Sequence, residues 1–251
     1  MTFTYIPPVP AEQVRSLPTR DIALLLLAHL TKATGFSTYQ GTIGSARTAF
    51  QGEPDTAALL HRLSDAWAWL EANALLSGEP TQGEVFRRVS QEGRELVEDP
   101  QGIVRFDARH RLAGPLHPEL EGTIRTYFDL GDYETACFAA MKAVEVAVRS
   151  AGGYDNSQRG VGLMRKAFAP HQNGKPGGPL ADAGAEGGEQ EAASALFAGA
   201  IGAYKNPTSH RTVDFEDPVE AAEIIQLANL LLRQVDRAAR RQVAAAAAAQ
   251  N

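Results

Sequence analysis

Tyr204-Lys205-Asn206-Pro207-Thr208-Ser209-His210-Arg211, followed shortly by Asp217-Pro218-Val219-Glu220, decides how the second half of this 251-residue chain is read. Proline lacks an N–H and biases the residue before it away from αR, so the helical pattern upstream stops at Asn206. The next helix opens with an acceptor at the N-cap (Asp217), proline at N1 and Glu220 at N3. A sharp helix–helix corner is predicted between them, carrying Lys205, Asn206, His210 and Arg211. Helix ends hold anions such as phosphate readily. The corner is the first candidate for a site.

On both sides of the corner the pattern is helical. Downstream, Pro218 to about Val243 carries Ala221, Ile224, Ile225, Ala228, Leu231, Leu232 and Val235, with Leu227 and Leu230 alongside. That face is wider than one side of a bundle needs, which fits either a dimer surface or a central helix. Upstream, Glu191–Tyr204 is a long helix, preceded by a glycine-rich loop over about 170–188, read as a flap or a disordered stretch. Val161–Phe168 is a short helix. Asp132 caps a helix from Tyr133 to Ser150, in which Ala136, Ala140, Val144 and Ala147 form a narrow packing stripe. Leu116–Leu130 is one further helix, ended by Gly131. These elements make residues 111–243 one helical domain, with an alanine-rich, disordered tail at 244–251.

The first half reads differently. Residues 1–16 are a proline-rich arm. A buried helix over Leu17–Leu30 ends before Gly35, and helices around 42–50 and 55–73 follow, the second with Ala58, Leu59, Leu63, Ala66, Trp67 and Leu70 at helical spacing. Leu75-Leu76, the turn-rich Ser77-Gly78-Glu79-Pro80 and the alternating Val85–Val89 predict a hairpin, and a helix over Gln91–Val97 closes the unit. Helices followed by a small hairpin resemble a winged helix-turn-helix domain over residues 17–110. Residues 1–110 hold ten basic against thirteen acidic residues, whereas a DNA-reading winged helix usually carries a basic helix and wing. Arg87 and Arg88 are the only such hint, so DNA and protein both stand as partners for this domain.

The formal charge of −6 argues against nucleic-acid binding through a broad basic surface and leaves room for a local cationic pocket. Cys137, the only cysteine, falls in a helical pattern and reads as a small core residue. With no intrachain disulfide, no leader-like start and an apolar run (Ile22–Leu30) too short to span a bilayer, a cytoplasmic location and no membrane partner are expected. No zinc-ligand spacing, P-loop or dinucleotide motif is present, so no metal or cofactor is expected. No serine sits in a nucleophile-elbow context.

Several short motifs, in order, carry a family likeness. Leu116-His117-Pro118, Phe128–Tyr133, Ala136–Arg149, Gly162-Leu163-Met164, Leu196–Ala200 and Lys205-Asn206-Pro207…His210-Arg211 resemble the Ymh family of uncharacterised bacterial proteins, over about residues 113–238. That family is similar to the HEPN superfamily of four-helix domains. The resemblance implies a mainly α chain whose C-terminal half is a HEPN-like four-helix bundle. The superfamily hallmark is an arginine, a polar residue and a histidine just before the last helix, and two such motifs commonly face each other in a homodimer. Many members are metal-independent endoribonucleases of toxin or anti-phage (abortive infection) systems, while others only bind nucleotides or RNA.

What the resemblance implies for the site follows residue by residue. Lys205 stands at the arginine, Asn206 at the polar neighbour and His210 at the histidine. Lysine keeps the charge but loses the planar fork that grips a phosphate in two places; the change either weakens catalysis or leaves the missing geometry to the neighbouring Arg211. With RNA as substrate, His210 would transfer protons, Lys205 and Arg211 would contact the phosphate, and Asn206 would position it. The competing reading is a helix cap, with His210 on a helix-end carbonyl, Asn206 shaping the turn and the cations solvated. Glu145 has Lys142 three residues before it and Arg149 four after. It reads either as a solvated ion-pair ladder or as a residue that faces the corner and orients His210 or Lys205. Two functions follow, an endoribonuclease or a non-catalytic nucleic-acid- or protein-binding module with a regulatory role.

Overall fold

The computed structural model describes residues 8–33, 35–172, 176–205 and 217–248. The chain is mainly helical and divides into two compact units, Met1–Ile103 and Val104–Asn251. The sequence pattern predicts a boundary at 110/111. The division instead falls within a helix, Gly102–Arg111.

In the first unit, α1 (Ala11–Ser16) and α2 (Thr19–Lys32) precede a two-residue strand β1 (Ser37–Thr38). Then come α3 (Tyr39–Ala49), α4 (Thr56–Ala72), β2 (Leu76–Gly78), β3 (Phe86–Val89) and α5 (Gln91–Glu98). The order β1-β3-β2 makes a small antiparallel sheet, with Leu76 opposite Val89 and Thr38 opposite Phe86. Local chemistry sets the helix starts: the Thr38 hydroxyl accepts from the Gly41 N–H at 3.0 Å and the Ser90 hydroxyl from the Gly93 N–H at 3.0 Å. Such caps satisfy donors that a helix start leaves open. The core lies between Ile22, Leu26 and Leu27 of α2 and Leu59, Leu63 and Leu70 of α4.

Within the expected N-terminal arm, the described residues from Pro8 include α1, whose Val14 is fully buried. Its main-chain oxygen accepts from Arg62 at 2.6 Å, and Arg15 pairs with Glu53 and Asp55 at 3.0 and 2.7 Å. Those contacts fix a segment that its prolines alone left open.

In the second unit, the helix that carries the division, α6 (Gly102–Arg111), is followed by α7 (Pro118–Glu121), α8 (Thr123–Asp129) and α9 (Tyr133–Ala151). Next are α10 (Gly160–Ala167), α11 (Gly187–Ala200) with a π-helical turn at Ile201–Lys205, and α12 (Pro218–Ala248). The single helix expected over Leu116–Leu130 is two, because Gly122 (φ −86°, ψ −102°) leaves the helical region between them. α11 starts at Gly187, earlier than its glycines suggest, because Glu186 and Glu189 form a reciprocal capping box. α12 runs on to Ala248, where a disordered tail is expected from 244; alanine is the best helix former, and residues 243–248 are exposed.

α9 and α12 supply the centre of the second core, with Ala136, Ala140 and Val144 on one and Ala221, Ile225, Ala228 and Leu232 on the other, all essentially buried. Small residues on α9 allow a close helix approach. Cys137 sits here, and burial pushes its thiol up to about 12. Part of the stretch expected to be a flap is anchored. Leu180 is 1% exposed, and its N–H donates to the Ala167 oxygen at 2.9 Å. No helix among the described residues is long and apolar enough to cross a membrane.

Candidate functional site

α9 brings Glu145 to the site. Its apolar row Cys137, Met141, Val144 and Val148 is buried, and Glu145 falls inside the same arc, one turn after Met141. The residue is 5% exposed, while Lys142 lies on the solvent side. A buried carboxylate needs compensating partners, and Glu145 has three. Oε1 accepts from Arg149 Nη2 at 2.7 Å. Oε2 accepts from the Gly160 N–H at 2.7 Å and from Lys205 Nζ at 3.1 Å.

Each partner arrives for a local reason. Arg149 lies one turn further along α9, and its Nε also donates to the Gln158 oxygen at 2.9 Å. Gly160 has φ +63°, a left-handed backbone that glycine adopts without penalty. That conformation starts α10 with its N–H turned toward Glu145. Lys205 is the last residue of the π-helical turn. A π turn inserts one residue into the α-helical repeat and is frequent at functional sites. Here it sets the angle at which Lys205 leaves α11.

The electrostatics follow from these contacts. Burial pushes the Glu145 carboxyl up, but the Gly160 N–H, Lys205 and Arg149 together outweigh it and hold the group below the usual carboxylate range. Glu145 is therefore ionised at neutral pH. Two cations, Arg149 and Lys205, face this one carboxylate. The Arg149 and Lys205 side chains are each 15% exposed and that of Glu145 is 6% exposed. Both cations thus reach the surface while their carboxylate does not.

Of the five residues singled out in the sequence, Lys205 and Glu145 are brought together, sixty positions apart in the chain. Asn206, His210 and Arg211 lie outside the described residues. The far side of the corner is described from Asp217, whose Oδ1 accepts from the Val219 N–H at 2.8 Å to open α12. Sequence reasoning places Arg149 only in a surface ladder and does not include Gly160. The burial of Glu145 is signalled by its place in the apolar arc of α9. The role of Gly160 has no such signal.

Beside this cluster, a groove of about 570 Å³ runs between α10 and α11, lined by Val161, Arg165, Glu191, Ser194, Ala198 and Gly199. Among the described residues, no group of three or more His, Cys, Asp and Glu could hold a metal ion.

Residues 114–235 match a family described as protein of unknown function (Hypoth_Ymh). No curated protein and no solved structure matches the chain.

Proposed function

We propose that the chain is a HEPN-like, metal-independent endoribonuclease, acting as an effector of a bacterial toxin or anti-phage defence system. The observation that carries this reading is the anchoring of Lys205 on buried Glu145, where α11 gives way to Asn206–Arg211. A cation held at 15% side-chain exposure is already positioned when a phosphate arrives, and preorganised charge of this kind commonly lowers a barrier more than any other single effect. The helical order of the second unit and the Ymh match over residues 114–235 support the HEPN-like assignment.

The reaction in this reading is attack of a ribose 2′-oxygen on the adjacent phosphorus. The P–O5′ bond breaks and a cyclic phosphate remains. His210 takes the 2′-OH proton, and its counterpart in a second copy of the chain protonates the leaving 5′-oxygen. Lys205, Arg211 and Arg149 stabilise the non-bridging oxygens, and Asn206 orients the phosphate. The groove between α10 and α11, with Arg165 on its wall, receives a flanking nucleotide. Leu230 of α12, 47% exposed, belongs to the face that would join the two copies, so light scattering should return twice the mass of the chain.

The test is incubation of total RNA with purified protein in EDTA, wild type beside His210→Ala. The expected result is cleavage that falls by about 10²–10⁴ in the variant. Equal, EDTA-insensitive absence of cleavage in both would overturn the nuclease reading.

A second reading, a binding module without catalysis, is favoured by one specific observation. Lys205 replaces the motif arginine, and its ammonium already pairs with a carboxylate. RNA binding that survives Glu145→Gln and His210→Ala without any cleavage would select it. In both readings the first unit, with its elements in the order α1-α2-β1-α3-α4-β2-β3-α5, is winged-helix-like; it senses a partner or nucleic acid in the first reading and docks on DNA or another protein in the second.

A further inference from the structure

The first unit carries a groove of about 390 Å³ between α3, α4 and β3. Tyr39, Trp67, Ala68 and Val85 form its walls, and Glu71, Glu84 and Arg87 stand around them. The walls are preformed. The Tyr39 hydroxyl lies 2.9 Å from that of Ser64, and the Tyr39 and Trp67 rings meet edge to face with centroids 6.1 Å apart. Val85 is 54% exposed, so apolar surface is open to solvent there.

The charges around the groove are unequal. Arg87 is committed: Nε donates to Glu71 at 2.6 Å, and Nη1 to the main-chain oxygens of Glu84 and Phe86. Among the described residues, the Asp65 and Glu84 carboxylates have no cationic partner. The exposed line of α4 (Ala57, His61, Asp65, Ala68, Glu71) holds no lysine or arginine. Arg62, the only arginine of α4, is turned away to the main-chain oxygens of Val14 and Leu17. Residues 1–103 hold eight lysines and arginines against twelve aspartates and glutamates. A phosphate backbone would meet uncompensated carboxylates on this face.

We infer that this groove docks a protein partner through a segment in which an arginine stands beside an apolar side chain. The arginine stacks on the Tyr39 ring, as guanidinium groups do on aromatic faces, and its charge meets Glu84 on the groove wall. The neighbouring apolar side chain covers Ala68 and Val85. The partner is thus recognised by charge complementarity over a small apolar seat, with nucleic acid rejected by the same carboxylates.

The experiment uses the full chain and three fluorescein-labelled probes, titrated by anisotropy. They are a short peptide alternating leucine and arginine, its leucine–glutamate counterpart and a duplex DNA. The arginine peptide is expected to bind, the other two are not, and Ala68→Arg and Glu84→Lys should each weaken binding about tenfold or more. Both positions are exposed, and circular dichroism checks that the variants fold; Glu84→Gln is the milder substitute. Failure of the arginine peptide to bind would sink the proposal. So would binding that neither substitution weakens, or tighter binding of the duplex.

Discussion

Glu145 is the residue on which the second unit's polar chemistry turns. Removing its charge leaves Arg149 and Lys205 paired with an amide, although both retain some access to water. Glu145→Gln should therefore lower stability by about 2 kcal/mol, less than the 3–5 kcal/mol of a fully buried broken pair, as read by urea denaturation. The pH dependence has a definite sign. The folded carboxyl sits below its ordinary range, so its contribution is complete at neutral pH. It is lost as the pH falls below an ordinary glutamate's value of about 4.3 toward the lower folded value. The wild type should lose stability through that window more steeply than Glu145→Gln. Parallel curves for the two proteins would contradict the assignment.

At the scale of elements, close packing makes its own prediction. A Cβ on Gly93 of α5 would lie 2.6 Å from the Leu75 oxygen and 3.0 Å from Val89 Cγ1. Ala gains up to about 1 kcal/mol over Gly in a helix, but overpacking against backbone costs about 1–3 kcal/mol. Gly93→Ala should thus destabilise the chain, with a lower melting temperature as the readout. Elements marked by local chemistry were legible in the sequence. The hairpin, the Asp132 cap of α9 and the proline start of α12 all depend on residues within a few positions of each other. Gly122 was not legible as a break, because one glycine in a helical pattern is more often tolerated. α1 was obscured by prolines, since what fixes it comes from α4. Glu145 and Lys205 were each visible as candidates, and their pairing was one of two readings of Glu145; the choice between them, made across sixty positions, was not legible, nor was the π turn that aims Lys205.

For the whole molecule, the decisive quantity is how positive charge is distributed. The chain is acidic, so in the nuclease reading RNA is held through a few local contacts rather than a basic surface. If two or three phosphates are engaged, the logarithm of the binding constant should fall with the logarithm of salt at a slope of about −1.4 to −2.1. His210→Ala, which binds without cutting in the nuclease reading, is the protein to titrate. A much steeper slope would mean an extended cationic track that the composition does not supply.

The π turn at Ile201–Lys205 has one more consequence, in the phase of the helix. An α-helix advances about 100° per residue, and the wide turn offsets everything after it by a single step. Deleting Ala203, which is exposed, would let the segment rewind into regular α-helix at little thermodynamic cost. Because the wide turn absorbs one extra residue, the following ammonium would keep its place on the cylinder, in register with α9. A variant that melts near the wild-type temperature, keeps the pair with Glu145 and behaves in RNA assays as the wild type does would show that the angular placement of Lys205, and not the wide turn itself, is what the site needs.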